Sequence, residues 1–106
     1  MLEQNVINAL VEVGAAVSEI VSSAKPHSMK KFEKEAENLR LRAALSSLKD
    51  MLDKRLIGNA WRAVISEMEE TASFLRGKDM GPHTEAIAAR ILQAQYSQLE
   101  RTIIHA

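Results

Sequence analysis

Leu2, Val6, Leu10, Val13, Val17, Ile20 and Ala24 follow one another at intervals of four, four, three, four, three and four residues. That is the seam of a helix packed on other helices, here over residues 2 to 24. Ile7, Val11 and Val21 widen the seam until the polar face shrinks to a strip through Asn5, Asn8, Glu12 and Glu19. A helix with this much apolar perimeter requires cover from neighbours, and Gly14-Ala15-Ala16 lets one of them approach closely. Pro26, within Lys25-Pro26-His27-Ser28, ends it, because proline cannot continue the hydrogen-bond ladder and pushes Lys25 out of helical conformation.

Ser28 is the expected N-cap of a second helix that runs to about Leu56 or Ile57. Its first half is charged and keeps its apolar face through Phe32, Ala36 and Leu39; its second half carries Leu41, Leu45, Leu48, Met51, Leu52 and Leu56. Gly58 fits a C-terminal cap and Asn59 the N-cap of helix three. There Trp61, Val64, Ile65, Met68, Ala72 and Leu75 share one face, opposite Arg62, Ser66, Glu69, Glu70 and Ser73. Gly77-Lys78-Asp79-Met80-Gly81-Pro82 interrupts the pattern, and Thr84 opens helix four with Ile87, Ala88, Ile91, Leu92, Ala94, Leu99 and Ile103. Leu48, Ile65 and Ile91 fall at the centres of their stripes and are the expected core. No window has the alternation of a strand.

Connections of a few residues make consecutive helices antiparallel neighbours. The predicted fold is all-α: an antiparallel up-down-up-down four-helix bundle, or two helical hairpins completed by dimerisation, with residues 1–106 as a single helical domain. The length, 106 residues, suits one core and excludes a multidomain enzyme. Apolar residues make up 46% of the chain and charged residues 26%, as in a folding globular protein, and only Trp61, Tyr96, Phe32 and Phe74 are aromatic, fewer than β-sandwiches use. The formal net charge is zero, so nothing in the total draws the chain to nucleic acid or an anionic membrane. Charge is nonetheless uneven: residues 1–24 carry net −3 and residues 25–57 net +4, which predicts ion pairs along the rims of helices one and two.

Without cysteine there are no disulfides, thiolate nucleophiles or Cys-based zinc sites. The N-terminus has no basic leader, and Asn8, Glu12 and Glu19 interrupt its apolar run, so neither a signal peptide nor a membrane span is expected and the chain reads as cytoplasmic. Lys25, Lys30, Lys31 and Lys34 alternate with Glu33, Glu35 and Glu37 and lack an aromatic ladder, which disfavours nucleic-acid binding. Gly-x-Ser-x-Gly, His-Glu-x-x-His, phosphate-loop and dinucleotide-loop patterns are all absent, so no catalytic residue, cofactor or metal is assigned and no enzyme is expected.

Two short stretches carry resemblances. His27-Ser28-Met29-Lys30 is similar to the His-x-x-Lys core of histidine phosphotransfer domains, small helical bundles, which implies His27 as a phosphoryl acceptor. Trp61-Arg62-Ala63 together with Tyr96-Ser97-Gln98-Leu99-Glu100 resembles the Trp-x-Gly turn and the Tyr-x-x-x-Asp/Glu export signal of the helical-hairpin proteins of type VII secretion, with Ala63 at the glycine position. That likeness implies a helical hairpin exported through Tyr96. A repeat, Pro26-His27-Ser28 and Pro82-His83-Thr84, precedes helices two and four. It predicts that His27 and His83, with Asp79 or Glu85, form a pH-sensitive or weakly metal-binding end of the bundle.

The functional expectation is a small helical protein-binding module, an adaptor, inhibitor, chaperone or regulator. Its partner is another protein, helical in kind, and the excess apolar surface of helix one predicts a homodimer burying Val6, Leu10, Val13, Val17 and Ile20.

Overall fold

The periodicities become four helices: α1 Gln4–Ser23, α2 Lys31–Asp53, α3 Ala60–Arg76 and α4 Pro82–Ile104. The structure is a computed structural model that describes residues 3–24, 31–55, 58–76 and 81–105. Each helix packs on its neighbour in the chain, and α4 packs back on α1, while the diagonal pairs stay apart among the described residues. The product is an all-helical bundle 43 × 19 × 17 Å across, its long dimension set by the 23-residue helices.

One core runs through all four helices. α1 contributes Val6, Leu10, Val13, Val17 and Ile20 with the small Ala9 and Ala16; α3 contributes Trp61, Val64, Ile65, Met68 and Ala72. Both sets agree with the faces read from the sequence. On α2 the buried row is Asn38, Leu41, Leu45, Leu48 and Leu52, spaced three or four residues apart. Leu39 was expected on that face and is exposed, as is Ala36. The register set by the four leucines extrapolates to position 38, one residue and about 100° away from Leu39, so the asparagine is inside and the leucine outside.

Helix four carries the larger correction. Its buried row is Ala88, Ala89, Leu92, Leu99 and Ile103. Ile91, expected at the centre of the core, is 48% exposed, and Ile87 is 60% exposed. Each precedes a buried residue by one position and lies about 100° round the helix from it, which carries it to the edge of the buried stripe and into solvent.

Helix ends differ modestly. α4 begins at Pro82 rather than Thr84, since proline needs no amide partner at the first helical position and Gly81 supplies the turn with φ +85°. Asn59 immediately precedes α3, and its carbonyl accepts from the Arg62 amide. Pro26, Ser28, Leu56 and Ile57 lie outside the described residues.

α1 is 20 residues long with mean hydropathy 1.4, enough by length and composition to cross a membrane, and 39% of that window is buried within the chain. Its apolar composition serves the core here, where seven of its residues are covered. The polar strip has partners across the groove to α2. Arg40 reaches Glu19 at 2.5 Å and Glu12 at 3.7 Å, and Arg55 pairs with Glu3. These are the rim pairs that the opposite charges of the two segments predicted.

Candidate functional site

The five residues expected to meet a partner, Val6, Leu10, Val13, Val17 and Ile20, are all buried within the single chain. The apolar perimeter of α1 is used up mainly by α2 and α4, and what remains outside is Ile7 and Val11. A surface for a partner therefore has to be sought on another face.

Exposed apolar residues gather between α3 and α4. A groove of about 410 Å³ is lined by Glu70, Thr71 and Phe74 on α3 and by Thr84, Ile87, Ala88 and Ile91 on α4. Phe74 is 56% exposed and stands beside the two half-exposed isoleucines. Large apolar residues exposed singly are normal on any protein, but three gathered in one groove form a patch. Exposed residues elsewhere on these two helices include Ala60, Ala63 and Ala94. Sequence reading missed the patch because it placed Ile87 and Ile91 inside and gave Phe74 no face. The signal was present in the doubled apolar pairs Ile87-Ala88 and Ile91-Leu92.

A second groove, of mixed character, runs between α1 and α2, lined by Asn5, Asn8, Glu12, Arg40 and Ser47 together with Ala9, Ala43, Ala44 and Met51. Arg40 is held there by the hydrogen bond and charge of Glu19, which raise its pKa above its already high ordinary value. The third feature is a small, partly open cavity of about 20 Å³ lined by Ile20, Ala24, Glu37, Asn38, Leu75 and Glu85. Asn38 is buried there and donates to the Ala72 carbonyl at 2.6 Å, which ties α2 to α3, while its Oδ1 has no protein partner among the described residues. Ser23 donates to Glu37 at 2.6 Å nearby.

The residues singled out by resemblance fall as follows. His27 and Asp79 lie outside the described residues, whereas His83 is exposed in the first turn of α4, two positions before Glu85. Among the described residues no cluster of three or more His, Asp or Glu side chains is placed to hold a metal. Trp61 is buried in the first turn of α3 with the Arg62 guanidinium 4.6 Å from its ring centroid.

Tyr96 of α4 is half-buried against α1 and donates to the Leu10 carbonyl at 3.1 Å. That carbonyl lies one turn before Gly14, where a Cβ would come within 2.6 Å of the tyrosine oxygen. The close approach expected at Gly14 is thus filled by this ring. Burial, and secondarily the charge of Glu100, raise the Tyr96 pKa above its ordinary 10.0. The phenol therefore keeps its proton to higher pH in the folded chain than in the unfolded one. Its stabilisation is complete below the unfolded value and is lost as pH rises through the folded value. Tyr96→Phe is expected to lower stability by about 0.5–1.5 kcal/mol at neutral pH. It is also expected to lose less stability than the parent between about pH 9 and pH 11, which urea unfolding at each pH measures.

No protein-family model matches the chain, and no curated protein or solved structure matches it either.

Proposed function

We propose that the chain is a small helical protein-binding module whose binding surface is the α3–α4 groove. The observation that carries this reading is the gathering of Phe74, Ile87 and Ile91, each about half exposed, along one groove. A groove between two helices accepts the ridge of a third, and the exposed alanines beyond the patch allow a helical partner to lie close.

The helices in this reading run up-down-up-down. Support comes from the cross-links: Glu3 at the start of α1 pairs with Arg55 just beyond α2, and Ser23 at the end of α1 bonds Glu37 near the start of α2. Asp53 at the end of α2 likewise pairs with Arg62 at the start of α3, and Asn38 and Arg42 reach Ala72 and Ser73 near its end. The apolar face assigned to a partner moves from α1 to α3 and α4, because the α1 row is already covered.

A photo-reactive phenylalanine analogue at position 74, irradiated in producing cells, tests the reading. Discrete adducts are expected from position 74 and none from the same group at exposed Ser46 on α2. No adduct at 74, or the same adducts at both positions, overturns it.

A further inference from the structure

We propose that the occupant of the α3–α4 groove is a second copy of this chain, docked about a two-fold axis that runs parallel to the helices. The inference rests on the reading of that groove as the binding surface. Charge decides between occupants. Among the described side chains, the exposed ionisable residues on the groove side of α3 are Glu67 and Glu70; on α4 the exposed ones are His83, Arg90, Glu100 and Arg101, of which Glu100 sits beside Tyr96 on the side packed against α1. Glu67, Glu70, Arg90 and Arg101 make no ion pair among the described residues. Arg62 of α3 is turned to α2, where it pairs with Asp53.

The face is therefore acidic along one helix and basic along the other, an arrangement complementary to itself when α3 of one copy lies on α4 of the next. A two-fold axis along the helices produces that placement twice and preserves height along the bundle. Height is fixed by the groove, in which Glu70, Thr71 and Phe74 are level with residues 84 to 91. Under this operation Glu70 of each copy comes beside Arg90 of the other, and Phe74 comes against Ile87 and Ile91 of the other, covering the apolar patch of both. A two-fold axis perpendicular to the helices instead sets α3 on α3 and α4 on α4, which opposes glutamate to glutamate and arginine to arginine.

Sedimentation velocity between about 1 μM and 1 mM tests this on the full chain and on two charge reversals, Glu70→Arg and Arg90→Glu. Both substituted residues are exposed, so the fold is retained, and circular dichroism checks it. The parent chain is expected to dimerise. Each reversal alone places like charges at both symmetric contacts and is expected to weaken the dimer by about tenfold or more. An equimolar mixture of the two reversals restores opposite charges at both contacts and is expected to form a heterodimer of parental strength. A parent that stays monomeric to 1 mM overturns the second copy as occupant while leaving the groove to be judged by its own adducts. Dimers unaffected by either reversal, or a mixture that does not recover, overturn the proposed axis. A dimer unaffected by Phe74→Ser shows that association uses another face, which counts against the second copy in the groove whatever the adducts at position 74 report.

Discussion

Leu48→Ala and Ile65→Ala are each expected to lower the free energy of unfolding by about 2–5 kcal/mol, whereas Ile91→Ala is expected to change it by less than about 1 kcal/mol. Leu48 and Ile65 are almost wholly enclosed by the core, so truncation removes buried methyl groups and leaves a cavity that the surrounding helices fill only in part. Ile91 keeps nearly half its surface in solvent, and its removed atoms are already wet on one side. Urea unfolding of the three variants measures the contrast. Equal losses at all three positions would mean that α4 is turned about 100° from the orientation described. If the second copy covers Ile91, its substitution shows its main effect on association rather than on the unfolding of the monomer.

Gly14→Ala is expected to destabilise the parent chain by about 1–3 kcal/mol, and to stabilise a Tyr96→Ala chain by about 0.5–1 kcal/mol. Two effects of opposite sign meet at this position. Alanine is the better helix former by about 0.5–1 kcal/mol because glycine loses more backbone freedom on folding. Against that, the new Cβ would lie 2.6 Å from the Tyr96 oxygen and 2.8 Å from the ring carbon that bears it, so the phenol must withdraw. Withdrawal breaks the bond to the Leu10 carbonyl and uncovers part of the ring, which outweighs the gain in helix propensity. With the ring removed the clash is gone and only the propensity remains. A double-mutant cycle by chemical denaturation reads the change of sign. Destabilisation of the same size in both backgrounds would show that Gly14 is required for some contact other than Tyr96.

The number of helices, their order and nearly all of the α1 and α3 core rows were legible from the amino-acid sequence. The physical reason is that a seam at intervals of three and four residues has one helical solution, and Gly and Pro punctuate it. The pairing of an acidic first segment with a basic second one was legible too, and Arg40 and Arg55 realise it. What tertiary structure alone decided is which of two adjacent residues faces inward at particular turns of α2 and α4. Periodicity defines a stripe about 100° wide, and only the neighbouring helices select the line within it that is covered. That selection put Asn38 inside and Leu39 outside on α2, and it left Ile87 and Ile91 beside Phe74 on the surface of α4. It also enclosed the α1 row, because a wide apolar perimeter is the same whether two helices of its own chain or another protein cover it. Gly14 announced a close contact in the sequence, but its partner is Tyr96, 82 positions away along the chain, and only the packing of α4 on α1 brings them together.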